Sequence, residues 1–253
     1  MPKIINSALV VPVYNESSRW NYNYWRQIQS AGFSLFFVND GSSDNTSQIL
    51  AAVEGSIILN LPKNLGKAEA VRIGMLHAAN SEAGFHCIGF LDADGAFDIS
   101  EVISIADRAS HFFDLGFMAV WTSRVKLSGR QIERAAVRHV IGRIISSLLT
   151  SAYRPFPYDS QCGFKLYKCD QNLIDSLAFE SKTRWFFELE HFVNYFFSTN
   201  QILNVWEEPL HSWSEIPGSK IYSLGSFRIL RELMVIYSKL KILHHHSSLP
   251  VGN

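Results

Sequence analysis

At 253 residues with 47% hydrophobic content, the chain is long enough to bury one substantial α/β core, so one catalytic domain is expected over residues 1–223, with 224–253 adding an amphipathic helix and a flexible tail. Its 23 Lys and Arg balance 23 Asp and Glu, so no global field draws it to nucleic acid. Three cysteines without a CxxC pair argue against a disulfide framework or structural zinc, and there is neither a signal-peptide core nor an apolar run of about 18 residues. The expectation is a reducing cytoplasm and no membrane span.

In chain order, ALVVPV (8–13), SLFFVND (34–40), SIILNL (56–61), HCIGFLD (86–92) and FMAVWTS (117–123) are short runs rich in Val, Ile, Leu and Phe, which predict buried strands. The helical stretches NTSQILAAVE and KAEAVRIGMLHAAN alternate with them, predicting an α/β fold with a mostly parallel central sheet flanked by helices. Such sheets bind ligands beyond the carboxyl ends of their strands. The loops there read PVYNE, NDGSSDNT, PKNLGK and DADG.

After residue 123 the alternation weakens. RQIERAAVRHVIGRIISSLLTSAY (130–153) predicts one helix, with Arg130, Arg134, Arg138 and Arg143 on roughly one face. LGSFRILRELMVIYSKLKIL (224–243) predicts another, with Phe227, Leu230, Leu233, Met234, Ile236, Tyr237 and Leu240 on a broad apolar face. That face suits a bilayer interface, the protein's own core or a second subunit in a homodimer. His244 to His246 are expected in a flexible tail.

Asp92 and Asp94 lie one residue apart at a strand end, where like charges call for a cation. Two carboxylates are too few to cage one. Magnesium or manganese is held by one or two carboxylates when phosphate oxygens and water complete its octahedron, which points to a diphosphate ligand. The plainer reading is a turn in which Asp caps the next helix. In NLGK, Gly66 and Lys67 open a helix whose N-terminus can receive a phosphate, or form a simple turn. Asp40 and Asp44 can accept hydrogen bonds from a ribose or base edge, or cap a helix.

Taken together, VVPVYNE, FFVNDGSSDNT, NLGKAEAVRIGM, FLDADG, TSR (122–124), YDSQCGFK, RWFFELE and WSEIPGSK resemble family 2 glycosyltransferases of the GT-A fold, over residues 8–222. The later motifs look most like the dolichyl-phosphate β-glucosyltransferase branch. The resemblance implies an inverting, metal-dependent transferase moving glucose or a related hexose from a UDP-sugar to a polyprenyl phosphate, peripheral to the membrane. By the same resemblance, Pro12, Tyr14 and Glu16 cup the nucleotide, Asp40 meets base or ribose, and Lys67 lies near them. Asp92 and Asp94 hold magnesium or manganese, Arg124 with Arg130 faces the acceptor phosphate, and Lys220 falls in a segment that closes over the donor. Two positions depart from the family pattern: Asn39 stands where an acid is usual, and Ala96 where a polar residue aids the metal, with Asp98 as a substitute. Glu190 or Glu188 is the candidate base if the acceptor is instead a saccharide hydroxyl. A nucleotide-sugar-binding protein without turnover is the remaining alternative.

Overall fold

The computed structural model describes residues 6–216 and 226–247. Five apolar runs form strands where expected: β1 (Ser7–Val13), β2 (Ser34–Asn39), β3 (Ile57–Asn60), β4 (Cys87–Leu91) and β5 (Ala119–Ser123). Four helices alternate with them: α1 (Tyr22–Ser30), α2 (Thr46–Ala51), α3 (Lys67–Ala79) and α4 (Ile99–Asp114). The second half adds β7 (Phe164–Lys168) and β8 (Val205–Pro209), and the seven-stranded sheet runs in the order β3-β2-β1-β4-β7-β5-β8. Only β7 is antiparallel to its neighbours, β4 and β5.

Successive strand residues point to opposite faces, and both faces are buried, which is why these strands read as unbroken apolar runs. Val10, Phe36, Ile88, Phe90 and Trp121 face a layer containing α3 and α7 (Phe187–Thr199). Leu9, Val11, Leu35, Phe37 and Leu91 face the layer of α1 and α4. The parallel order places the carboxyl ends of β1, β2, β4 and β5 at one edge of the sheet, and β7 delivers its amino end there because it runs the other way.

The arginine-bearing stretch is not one helix. Gln131–Glu133 form β6, paired in parallel with β9 (Ser212–Ser214), and helix α5 begins only at Ala136 and runs to Ala152. Strand pairing prevails because Gln131 N–H donates to His211 O at 2.8 Å and Ile132 is buried. Ala135 has no capping side chain, and Glu215 Oε2 accepts its N–H at 3.1 Å instead. After β7 comes α6 (Gln171–Leu177), which packs on α7.

The last helix, α8 (Ser226–Ser247), divides the apolar face expected of it. Leu233, Ile236, Leu240 and Leu243 are buried in the same core as α3 and α7, and α8 packs on α5 and α7. Leu230 and Met234 are exposed. The protein's own core therefore takes most of the surface that sequence left open to a bilayer or a second subunit. His244 and His245 lie within α8 rather than a loose tail, and the His244 ring meets Tyr153 at 5.8 Å. The side chains of Arg138 and Phe227 lie outside those described. No helix among the described residues is long and apolar enough to cross a membrane.

Candidate functional site

The crevice beyond the parallel strands is organised by carboxylates that hold loops. Asp40, at the end of β2 and 3% exposed, accepts the N–H of Leu65 at 2.6 Å and of Gly66 at 2.9 Å, and the Asn64 side-chain amide at 3.0 Å. Burial pushes its pKa upward against these backbone donors. Its neighbour Asn39 donates to Ser47 Oγ (2.7 Å) and Asn60 Oδ1 (2.9 Å), and the second is a contact a carboxylate has no proton to make. The departure from an acid pair thus has a local structural use. Arg184 reaches the same loop and donates to Asn64 Oδ1, while its carbonyl accepts the N–H of Ala68.

On the β1 side, Pro12 lies within the strand, opposite Val38 of β2, and Tyr14 follows it half exposed. Glu16 is buried and grips Arg19 through two bonds of 2.6 Å. Arg19 also feels the charge of Asp94, so the loop after β1 brings a guanidinium toward the carboxylate pair. Sequence reading passed over Arg19.

Asp92 and Asp94 stand at the end of β4. Lys67 Nζ meets Asp92 Oδ1 at 2.5 Å and lies over the Phe90 ring at 5.4 Å. Burial lowers the Lys67 pKa, but Asp92, Glu188 and Asp94 outweigh it and hold the ammonium above its ordinary value. Burial, followed by the charge of Asp92, pushes the Asp94 carboxyl up, and the N–H of Ala96 (3.1 Å) and the cations Lys67 and Arg19 oppose that rise. Ala96 is mostly buried, with its N–H capping Asp94. Asp98 instead caps α4 through Ser100, so it is engaged locally. No cluster of three or more Asp, Glu, His or Cys able to hold a metal ion exists among the described residues.

Gly163 packs directly against Asp92. Its carbonyl accepts the Asp92 N–H at 2.9 Å, and a Cβ at Gly163 would stand 2.1 Å from Asp92 Oδ2. Beneath them lies Lys165, with no exposed surface, its ammonium donating to the Cys162 carbonyl and lying 5.1 Å from the Trp121 ring centre. Burial lowers its pKa, with Glu188 acting against that shift. Glu188 is itself buried and accepts from Gln161 Nε2 at 2.9 Å. Glu190 is different. Its carboxylate takes the N–H groups of Lys182 (3.0 Å) and Thr183 (2.9 Å) and the Thr183 hydroxyl (3.0 Å). Its acceptor capacity is spent on one loop, and of the two glutamates it is Glu188 that faces Lys67 and Lys165.

The end of β5 carries Arg124. Its Nε and Nη2 donate to the two carboxylate oxygens of Asp159 at 2.7 and 2.8 Å, and the guanidinium lies 5.1 Å from the Trp213 ring centre. Burial raises the Asp159 pKa, yet the Arg124 charge and hydrogen bonds prevail and hold it well below the usual carboxylate range. Glu207 of β8 fixes the same turn, accepting the N–H groups of Tyr158 and Asp159, each at 2.7 Å. Arg130 points elsewhere, to His211 Nδ1 at 3.1 Å. Arg134 instead lies close enough to feel both Arg124 and Asp159. Asp159, Glu207 and Gly163 escaped sequence reasoning because their partners are distant in the chain. The one signal was YDSQCGFK as an unbroken string. Lys220 lies outside the described residues.

The profile of the family described as Glycosyl transferase family 2 matches residues 8–156, more than half the chain. The chain belongs to that family. This glycosyltransferase is 30% identical to a dolichyl-phosphate beta-glucosyltransferase of Trichomonas vaginalis over 258 residues, covering 93% of the chain and 72% of that relative. It is 28% identical to a dolichyl-phosphate beta-glucosyltransferase of Drosophila melanogaster, covering 91% of the chain and 74% of the relative. Among solved structures it resembles S. aureus TarS (residues 1–349), with a TM-score of 0.51 at 14% identity over 98% of the chain and 76% of that structure. The transferase thus has an α/β architecture of the GT-A type, with a mostly parallel sheet between helical layers.

Proposed function

We propose that this transferase moves a hexosyl group from a UDP-sugar to a polyprenyl phosphate, with inversion. The observation that carries the reading is the division of charge in one crevice. Asp92, Asp94 and Lys67 gather at the ends of β4 and α3, and arginines gather at the end of β5. Beside those arginines α5 exposes Val140, Ile141 and Ile144, a surface that suits a greasy tail following an anionic head. The names of the relatives, which act on dolichyl phosphate, point the same way.

Asp92 and Asp94 fit a divalent cation. Burial, followed by the charge of Asp92, raises the cost of ionising Asp94, and that pressure is the kind a metal relieves. Magnesium or manganese there would act as a Lewis acid toward the departing diphosphate. Lys67 adds charge at the same place, and Arg19, tied to Glu16, approaches from the nucleotide loop. Asp40 keeps the loop before α3 closed on the donor side, which sets Lys67 at the start of that helix beside Asp92. An acceptor phosphate is already anionic at neutral pH, so it needs cations to position it and no general base. The assignment of Glu190 to a loop fits a reaction without such a base.

The test is transfer from radiolabelled UDP-sugars to a short-chain polyprenyl phosphate, with and without EDTA. Label in the lipid fraction, lost on chelation, is the expected result. Transfer to a free saccharide, abolished by Glu188→Gln, would replace the lipid reading with the hydroxyl one. Nucleotide-sugar binding without transfer to either acceptor would leave a non-catalytic binder.

A further inference from the structure

We propose that Lys165 is a positioning residue for the transfer, keeping the Lys67 ammonium beside Asp92 by way of Glu188, an inference that rests on the donor diphosphate meeting Asp92, Asp94 and Lys67 as proposed above. Lys165 sits in the middle of β7, directly opposite Phe90 of β4 and Trp121 of β5, and has no exposed surface. A leucine or methionine would fill such a place without the cost of taking an ammonium out of water, so packing does not account for the charge. The Cys162 carbonyl accepts from it, and the Trp121 and Phe90 ring centres lie 5.1 and 5.6 Å from its Nζ. Those contacts hold the ammonium without neutralising it.

The neutralising charge is Glu188, at the start of α7. Burial lowers the Lys165 pKa, Glu188 leads the charges that oppose this, and Lys67 adds to the lowering. Burial raises the Glu188 pKa, and Lys165 and then Lys67 act against that rise. Lys67 Nζ lies 5.4 Å from the centre of the same Phe90 ring that Lys165 approaches. Two ammonium groups thus share one ring, and the buried carboxylate of Glu188, fixed by Gln161 Nε2 at 2.9 Å, stands in the field of both. Lys67 is placed between two anions, the buried Glu188 and the partly exposed Asp92, which it meets at 2.5 Å. While Lys165 is charged, Glu188 is already answered and Lys67 stays with Asp92. Without that charge Glu188 has Lys67 as its cation, and the low dielectric of the interior makes the pull strong. The alternation Lys165, Glu188, Lys67, Asp92 reaches from the core of the sheet to the mouth of the crevice, and the outer pair depends on the inner one.

The experiment is equilibrium binding of UDP in the presence of manganese to the full chain and to Lys165→Met, Lys165→Gln and Lys67→Met, and to Lys165→Met combined with Glu188→Gln or with Lys67→Met. Circular dichroism establishes that each variant is folded. Lys165→Met is expected to weaken UDP binding by about fivefold or more, as Lys67 turns inward. Lys165→Gln keeps a donor for the Cys162 carbonyl and loses the charge, so it should show the same loss, and it carries the test if the Met variant does not fold. Adding Glu188→Gln to Lys165→Met should restore affinity to within about twofold of the parent chain, since nothing then draws Lys67 from Asp92. In the Lys67→Met background Lys165→Met should cost nothing further, because the residue it acts through is gone. Undiminished UDP binding by the Lys165 variants, a loss that Glu188→Gln leaves in place, or an equal loss in the Lys67→Met background makes Lys165 a purely structural residue and overturns the assignment alone. Failure of the parent chain to bind UDP overturns the proposed donor site with it.

Discussion

Asp40 reaches 25 positions along the chain to take the Leu65 N–H at 2.6 Å, and so ties the end of β2 to the loop that opens α3. Asn at this position offers one acceptor oxygen in place of two and turns an NH2 group toward a backbone donor. Asp40→Asn is expected to cost about 1–3 kcal/mol in urea unfolding, the penalty for a buried donor left without its acceptor. UDP binding should weaken as well, because the loop leads into Lys67, which is proposed to add charge at the diphosphate. Normal UDP affinity in a destabilised protein would reduce Asp40 to a purely structural residue.

Gly163→Ala tests the contact beneath the carboxylate pair. A methyl group placed 2.1 Å from Asp92 Oδ2 must move that carboxylate or the turn that bears it. Turnover is expected to fall by about a hundredfold, as positioning errors near 1 Å do, with circular dichroism near that of the parent. Full turnover would mean that Asp92 tolerates displacement and is not a metal ligand.

Glu190→Gln should act on stability before chemistry. The loss of a buried carboxylate satisfied by backbone and hydroxyl donors at 182–183 is expected to lower unfolding free energy by about 1–3 kcal/mol. The turnover number of the folded fraction should stay within about threefold. A collapse of turnover with unchanged stability would return Glu190 to the role of a base.

Acid should weaken the Arg124–Asp159 pair with a defined sign. Because the folded Asp159 pKa lies below its unfolded value of about 3.9, the pair's contribution is complete above that value. It fades as pH falls toward the folded pKa. Asp159→Asn leaves a buried guanidinium without its anion and should cost about 3–5 kcal/mol at neutral pH. Unfolding measured from pH 7 downward should show the parent and the variant converging below about pH 4. A constant gap would mean that Asp159 contributes through packing rather than charge.

The two faces of α8 should differ in their response to truncation. Leu240→Ala opens a cavity at a fully buried position and should cost about 2–5 kcal/mol. Leu230→Ala, at an exposed position, should stay within about 0.5 kcal/mol. Equal losses would place Leu230 in an interface, and binding to anionic vesicles would then separate a membrane from a second subunit.

Much of the first half was legible because its strands are buried on both faces and begin and end in polar loops. The ends of β1, β2, β4 and β5 fall within about two residues of the apolar runs. The second half was harder to read for physical reasons. QIE carries no apolar run, and it becomes β6 only because Ser212–Ser214 lies beside it. In α8 the apolar face was evident, whereas its burial by α5 and α7 depended on tertiary packing. At the site, Asp92, Asp94 and Lys67 were visible as a local motif and meet in space. Arg130 and Arg134 are indistinguishable by composition, and only the path of the chain between β6 and α5 separates them.

The reversed direction of β7 has a consequence for how such a molecule can change. The proposed donor loops each join a parallel strand to its following helix, whereas residues 154–161 join α5 to β7 and enter the crevice on a connection of their own. Asp159 on that connection holds Arg124, so a change in this one segment reaches the proposed acceptor side without touching the loops that follow the parallel strands. A chimera carrying a foreign 154–161 segment with Asp159 retained is expected to keep UDP affinity and lose its native acceptor. Loss of both together would mean that the two halves are inherited as one unit.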